Sequence, residues 1–475
     1  MEDSESTFLD GLPVCSVFSV SLWLCFAAFG GAAQPVNVVP MPRQVTFEAG
    51  FFEIDEQTVV LVSERATEGT RRAARAVQLG IRERFGLDLP IARIAEQHAT
   101  GPRKEIWIIE PRLRRPPANT IGVNGLVFAP EMVSEGYFIR VDMIAVVVHG
   151  ASDAGSYYGA QTLLQLIRPP RRGGLFRAAL GPTLPCLWIA DWPAHAMRAV
   201  PPELKMPSDA RAAEQFLQDA ARYRLNGIAR EALPTDAAAA GRVQEVIEGL
   251  PIRVVDDAPV LPSTPAAATP LIDAVFHWNG MGLAVRYSLA ALGEAAWGSR
   301  DTDPDHFRLR FARSTFGTDA AAEAIRLTEE YFVARPGAPS LWAPAPFAEI
   351  AEATGEQAAR YARARAEHER RARRIRLLWR SVRAEPPLRD AFLAVAERAI
   401  GLTENAYALA DAYRFYRDGR IAKAVRALRA RTGSLGALGE EAAESRKAFD
   451  ALIARLEAAA KAPKPPPIEE VFSGK

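Results

Sequence analysis

The sequence predicts three successive regions: an α+β region, a region of alternating short strands and helices, and an α-helical bundle. Between residues 38 and 167, six short runs typical of strands accompany two helical patterns. Residues 187–298 repeat the order of strand, then helix. Between residues 301 and 460, apolar side chains recur at helical spacing, with breaks at 385–387, 418–419 and 432–433.

The first region has the clearest pattern of elements. Strands are expected near 38–45 and at 58–62, 91–94, 105–109, 137–141 and 144–148, with helices at 66–85 and 155–168. The second helix follows a turn in which Asp153 is a candidate cap, since a short polar side chain there accepts from the exposed backbone N–H groups. Strands with two packing helices make an α+β layer.

Four segments of this part carry a family resemblance. They are residues 37–45 (NVVPMPRQV), 134–141 (SEGYFIRV), 151–166 (ASDAGSYYGAQTLLQL) and 188–193 (WIADWP), the last followed by Arg198. In this order, the first three resemble the small α/β domain that precedes the catalytic barrel in family 20 glycoside hydrolases, the β-N-acetylhexosaminidases. The fourth resembles the junction of that domain with the barrel. The resemblance implies an accessory domain at 36–180, a barrel beginning near residue 187, and action on amino-sugar glycans.

The middle region is too short for the barrel that the resemblance implies. Strands are expected at 197–200, 225–229, 252–255 and 271–278, with helices at 210–223 and 237–249 and a Pro-rich connector at 259–270. A (β/α)₈ barrel needs roughly 200 residues or more. We therefore predict a partial (β/α) barrel-like domain at 187–298, which will not close with eight strands; an open α/β layer is the alternative.

The third region is predicted to be a helical domain at 301–460, followed by a disordered Pro/Lys-rich tail at 461–475. Residues 286–317 resemble the passage from barrel to helical domain in some hexosaminidase-like chains. Between residues 360 and 383 there are ten arginines and two glutamates. Because charge runs on helices are usually solvated faces, we predict no nucleic-acid partner; binding of an anionic polymer is the alternative.

The N-terminus and the overall charge suggest where the protein acts. An apolar run from Leu12 to Phe29, followed by small residues up to Ala33, predicts a signal peptide at 1–33 and a secreted or periplasmic protein. No Lys or Arg precedes Arg43, so an uncleaved membrane anchor is the alternative. The net charge of +1 gives no reason to expect an anionic partner, and the oligomeric state stays open.

Catalysis in the resembled family depends on an adjacent Asp-Glu pair after a Gly-Gly on the fourth barrel strand. There the Glu protonates the leaving oxygen and the Asp orients the substrate's own acetamido group. This sequence has no Gly-Gly-Asp-Glu. The candidate catalytic residues are Asp256 and Asp257, which follow the strand at 252–255 and so face the mouth of a partial barrel. Their alternative interpretation is two solvated loop carboxylates.

Four residues are candidates for binding the sugar. Arg198 resembles the arginine with which the family grips sugar hydroxyls; its alternative is an ion pair at the domain seam, with Asp191 as a candidate partner. His277, Trp278 and Asn279 end the strand at 271–278 and combine a stacking ring with hydrogen-bonding groups. Their alternative is a core Trp beside a turn. No two histidines have metal-ligand spacing, so neither a metal nor another cofactor is predicted.

Three hypotheses follow. The leading one is a catalytically impaired relative of hexosaminidases that binds amino-sugar glycans. The second is an active glycosidase with a relocated acid, and the third is a structural protein of the cell envelope.

Overall fold

The computed structural model describes residues 36–93, 104–109, 128–170, 180–256, 285–298, 303–332, 347–383, 386–435 and 443–473. The N-terminal region forms a seven-stranded mixed sheet of strand order β1-β7-β5-β6-β4-β2-β3. Its strands are β1 (Gln44–Glu53), β2 (Val59–Val62), β3 (Ile91–Arg93), β4 (Glu105–Ile109), β5 (Tyr137–Val141), β6 (Ala145–Gly150) and β7 (Thr183–Asp191).

The sheet is antiparallel on one side and parallel on the other. Strands β1, β7, β5 and β6 pair antiparallel, whereas β6, β4, β2 and β3 pair parallel. Strand β7 was not expected from the sequence, which gave this segment only as a junction. It lies between β1 and β5 and is buried almost throughout, so the sheet continues to Asp191, past the expected boundary at residue 180.

Two helices, α1 (Glu68–Phe85) and α2 (Asp153–Leu166), pack on this sheet and on each other. The ideal Cβ of an alanine at Gly159 would lie 2.6 Å from Cγ1 of Val148, so this glycine lets α2 approach β6 closely. The expected cap is corrected by one residue. Ser152 caps α2 by accepting from the N–H of Gly155 at 3.1 Å, while Asp153 accepts from the hydroxyl of Thr67, the cap of α1.

The middle region contains a separate three-stranded parallel sheet in the order β10-β9-β8. Its elements are β8 (Ala199–Val200), α3 (Ala210–Arg222), β9 (Gly227–Ala229), α4 (Ala237–Glu248) and β10 (Arg253–Val255). This is the predicted alternation of strands and helices. A barrel-like middle is not confirmed, and the strand expected at 271–278 lies outside the described residues.

The C-terminal region is helical, as predicted, but its first helix, α5, lies within the segment 187–298 that was predicted to be barrel-like. Its helices are α5 (Val285–Trp297), α6 (Pro304–Phe316), α7 (Asp319–Phe332), α8 (Phe347–Glu352), α9 (Gly355–Ser381), α10 (Pro386–Arg417), α11 (Ile421–Leu435), α12 (Ala443–Lys461) and α13 (Ile468–Ser473). The break expected at 432–433 does not occur. Helix α11 continues through it, and the Thr432 hydroxyl donates to the carbonyl of Leu428 inside the helix at 2.9 Å.

The expected disordered tail instead ends in helix α13. Val471 is buried, and the ring of Phe472 lies 5.2 Å from that of Tyr413. The Pro/Lys composition of residues 462–467 concealed the apolar residues at 468, 471 and 472, whose spacing places them on one helix face.

The arginine-rich helix α9 uses several of its arginines in ion pairs. Arg371 pairs with Glu330 of α7 at 2.7 Å, and Arg376 pairs with Glu397 of α10 at 2.7 Å. The acidic partners of α9 therefore include residues of the neighbouring helices α7 and α10. None of the helices in the described part of the chain combines the length and the apolar character needed to cross a bilayer.

Candidate functional site

The predicted mouth of the middle sheet lies where β8, β9 and β10 end. The loops after β8 and β9 are tied together, because Lys205 donates to the carbonyl of Glu231 at 2.7 Å and the N–H of Met206 donates to the carbonyl of Ala232 at 2.9 Å. Among the predicted site residues, Asp256 is at this mouth. Asp257, His277, Trp278 and Asn279 lie outside the described residues, and their roles stay predictions.

Asp256 is solvated and bound to a cation. Its side chain is 76% exposed and accepts from Nε of Arg230, which follows β9 and is itself 62% exposed. A general acid that is protonated near neutral pH needs burial or a nearby negative charge. Asp256 is instead exposed and accepts a hydrogen bond from a guanidinium.

Arg198 lies in the seam between the N-terminal and middle regions rather than at the mouth. It has no exposed surface, and its Nη2 pairs with Oε2 of Glu135 at 2.6 Å. Its Nε donates to the carbonyl of Arg224 at 2.8 Å and its Nη1 to that of His195 at 2.6 Å. The geometry supports the ion-pair interpretation over sugar binding, with Glu135 as the partner in place of the suggested Asp191.

Asp191, the last residue of β7, is the centre of a second buried ion pair. Its Oδ2 accepts from Nη1 of Arg224 at 2.7 Å and from the hydroxyl of Tyr137 at 2.6 Å. Its Oδ1 accepts from Nε1 of Trp297 at 3.0 Å and from the N–H groups of Arg43 and Trp192. Both charged partners are fully buried, so their mutual contact and these neutral donors must replace water.

Trp297 of α5 joins the two ion pairs. Its ring lies 4.9 Å from the guanidinium carbon of Arg198 and 4.7 Å from that of Arg224, within the range of cation–π attraction. We call Glu135, Asp191, Arg198, Arg224 and Trp297 the seam cluster. Its members come from the N-terminal sheet region, the middle region and the first C-terminal helix, so it fastens three parts of the chain together.

The seam cluster is shielded from solvent as well as highly charged. Burial raises the pKa of Tyr137 well above its usual value, and it also raises the pKa of Tyr158, whose ring lies 5.8 Å from the guanidinium carbon of Arg198. Both phenols therefore stay neutral over the physiological range. The charged groups of the cluster are buried and paired with one another, an arrangement that fits a role in holding the fold together.

Sequence reasoning missed three of these residues in their roles: Glu135, Arg224 and Trp297. Arg224 follows α3 with a positive φ of 65°, which is uncommon for a residue with a side chain. The available signal was the pair of polar residues Arg224 and Asn226 inside an otherwise apolar approach to β9. Asn226 donates to Glu135 at 3.1 Å and accepts from the N–H of Arg198 at 2.8 Å.

No group of three or more His, Cys, Asp and Glu side chains in the described ranges is arranged to hold a metal ion. Cys186 is a buried, unbridged thiol, and burial raises its pKa. A buried thiol of this kind is unreactive, as expected for a small apolar residue of β7.

Comparison with known proteins identifies the N-terminal region. Residues 35–192 match the model of glycosyl hydrolase family 20, domain 2. A beta-hexosaminidase of Porphyromonas gingivalis is 31% identical over 163 residues, which are 34% of this chain and 18% of that protein. The chain is therefore a family 20-like, hexosaminidase-related protein that carries the N-terminal accessory domain, and it spans less than a fifth of this relative.

Similar solved structures include two enzymes of the same family. One is the GH20 exo-β-N-acetylglucosaminidase of Vibrio harveyi, with 16% identity, a TM-score of 0.30, and coverage of 41% of this chain and 25% of that one. Another is the GH20 β-N-acetylhexosaminidase of Streptomyces coelicolor A3(2), with 19% identity, a TM-score of 0.30, and coverage of 41% and 34%. This chain thus covers a quarter of the first structure and about a third of the second.

Proposed function

We propose that this protein is a glycan-associated relative of hexosaminidases that binds amino-sugar glycans and is impaired in cleaving them. The observation that carries the impaired cleavage is the position of Arg198. It resembles the arginine with which the family grips sugar hydroxyls, yet here it is buried and its guanidinium is used by Glu135 and two backbone carbonyls.

The candidate acids support impaired hydrolysis. The sequence has no Gly-Gly-Asp-Glu, and Asp256 is an exposed carboxylate paired with Arg230. An aspartate is also one methylene shorter than the glutamate that the family uses to protonate the leaving oxygen. Among the residues that the structure describes at this mouth, neither the proton donor nor the group that orients the acetamide has a well-suited substitute.

Binding without hydrolysis remains compatible with the mouth of the middle sheet. Asp256 is accessible there and can accept hydrogen bonds from sugar hydroxyls. Trp278, if it reaches the same mouth, supplies a ring for stacking, with His277 and Asn279 as polar neighbours. Stacking and one or two charge-assisted hydrogen bonds support weak affinity, with a Kd of roughly millimolar to high micromolar.

We expect the purified protein to hydrolyse an aryl N-acetylglucosaminide at least about 10²-fold more slowly than a family 20 enzyme assayed in parallel, since each missing catalytic group contributes about that factor. Release of the aryl alcohol measures the rate. Asp257→Asn is the informative variant, with Asp256→Asn beside it. Robust turnover by the wild type that disappears in Asp257→Asn would establish an active glycosidase instead.

For binding, we expect N-acetylglucosamine oligomers to bind the wild type weakly and Trp278→Ala at least about tenfold more weakly, because the stacking surface is lost. Calorimetric titration measures both affinities. The control is Trp278→Phe, which keeps an aromatic face. Trp188→Ala would be a poor control, because Trp188 lies in strand β7 of the N-terminal sheet. Equal binding by wild type and Trp278→Ala, or none by either, refutes the proposed mouth site and leaves a structural role.

A further inference from the structure

A row of arginines runs along the exposed side of helix α9. The buried side of this helix packs into the bundle through residues such as Ile375 and Trp379. The opposite side carries five exposed arginines, which are Arg363, Arg370, Arg373, Arg374 and Arg380. Because an α-helix turns by about 100° per residue, these positions lie within an arc of about 120°. We call these arginines, with Leu377 between them, the arginine stripe.

Most of the charge of the arginine stripe has no partner within the protein. Arg370 pairs with Glu367 at 2.6 Å, and both side chains are exposed. The four other arginines of the stripe have no carboxylate within ion-pair distance among the residues that the structure describes. The arginines on the sides of the helix differ, because Arg371 and Arg376 pair with acids of α7 and α10. The fold therefore compensates the sides of α9 but not its outer face.

This unbalanced charge indicates the sign of the partner. Arg370 lies three residues from Arg373 and four from Arg374, and like charges at these spacings repel one another on a helix surface. An anionic ligand would relieve the repulsion. A second copy of the same face would increase it, because guanidiniums would meet guanidiniums. The occupant that complements the arginine stripe is therefore anionic.

The arginine stripe is long and narrow. From Arg363 to Arg380 it extends over about 26 Å, at the rise of an α-helix. Carboxylates border its N-terminal half, since the helical period places the exposed Glu367 beside one edge and the exposed Glu369 beside the other. These acids repel an anionic surface that is broader than the stripe. A thin chain of negative charges can follow the stripe without contacting them.

The shape and composition of the stripe disfavour membranes and nucleic acids. A helix that binds a bilayer inserts its apolar face, and the apolar face of α9 is packed inside the bundle. Single-stranded nucleic acid is bound by stacking on aromatic rings, and the stripe has none. A nucleic-acid duplex is wider than one helix face of roughly 10 Å, so its phosphates would meet the bordering carboxylates.

We infer that the arginine stripe binds a linear acidic polysaccharide, a polymer of uronic acids. Such a chain carries a carboxylate on every sugar, and a guanidinium can donate two parallel hydrogen bonds to a carboxylate. Leu377 is 60% exposed within the stripe, where the C–H face of a sugar ring can pack on it. This site does not depend on the amino-sugar binding proposed for the mouth of the middle sheet.

The test removes charge from the arginine stripe and, in a control, from other exposed arginines. The stripe variant is R363Q/R373Q/R374Q/R380Q, which leaves the pair of Arg370 and Glu367 intact. The control variant is R75Q/R82Q/R211Q/R242Q, with the same change of net charge on α1, α3 and α4. All eight side chains are exposed, so both variants should fold, and circular dichroism verifies this.

Five probes are titrated by calorimetry at low salt: alginate oligomers, neutral dextran, duplex DNA, polyglutamate, and vesicles of phosphatidylcholine with phosphatidylglycerol. We expect alginate to bind the wild type and the control variant equally. The stripe variant should bind it at least about tenfold more weakly, because charge-assisted hydrogen bonds are lost. Added salt should weaken the binding, since exposed charges are screened.

The stripe variant should bind N-acetylglucosamine oligomers as the wild type does, so the arginine stripe and the mouth site can fail separately. Four outcomes overturn the inference: no alginate binding by the wild type, equal alginate binding by all three proteins, an equal loss in both variants, or dextran binding as tight as alginate binding. Stripe-dependent binding of DNA, polyglutamate or vesicles that is tighter than that of alginate overturns it as well.

Discussion

Replacing Asp191 with asparagine is expected to lower the free energy of unfolding by about 3–5 kcal/mol, the usual cost of removing one partner of a buried ion pair. Arg224 would keep its charge in a site without solvent, because both side chains are fully buried. An asparagine can accept through only one of its side-chain groups. The amide nitrogen of the asparagine would therefore take the place of one carboxylate oxygen. There it would face donors that now bind that oxygen, and it could not accept from them.

The same substitution at Asp256 is the control. Asp256 also accepts from an arginine, but both side chains of that pair are mostly exposed, and exposed pairs contribute little to stability. We expect Asp256→Asn to unfold at nearly the wild-type urea concentration, whereas Asp191→Asn unfolds much earlier. Similar midpoints for the two variants would mean that the seam cluster does not hold the regions together.

The sequence predicted most elements whose signal is local. The strands at 105–109 and 137–141 occupy the residues expected, and the helices around 68–85 and 210–222 differ by two residues or fewer at each end. Apolar alternation and helical spacing need no knowledge of distant contacts. Strand β7 is different, because its register against β1 and β5 depends on residues 46 to 146 positions away.

The seam cluster was harder to predict for the same reason. Arg198 was recognised as a candidate for an ion pair, but choosing between Glu135 and Asp191 requires the three-dimensional placement of two acids in the N-terminal region. Both acids were within segments singled out for family resemblance. What the sequence could not show is that each acid takes a different arginine from the middle region.

The packing of α5 on the middle region also depends on a long-range contact, between Gly293 and the backbone of Tyr223. A substitution that adds one methyl group at Gly293 can test it. An ideal Cβ at Gly293 would lie 2.2 Å from the carbonyl oxygen of Tyr223, a distance that requires the helix to move. Helix α5 carries Trp297, whose ring lies against Arg198 and Arg224. A displaced α5 would therefore disturb the seam cluster as well.

We expect Gly293→Ala to destabilise the protein by about 3 kcal/mol, near the upper end for overpacking a close contact. Helix propensity favours alanine over glycine by up to about 1 kcal/mol, which is too little to offset the clash. Gly241→Ala in α4 is the matched control, because no atom lies within 4 Å of its added Cβ. That variant should be slightly stabilised, by about 0.5–1 kcal/mol. Urea unfolding of both variants measures the difference, and a stabilised Gly293→Ala would show that α5 does not pack against the backbone of Tyr223 as the structure has it.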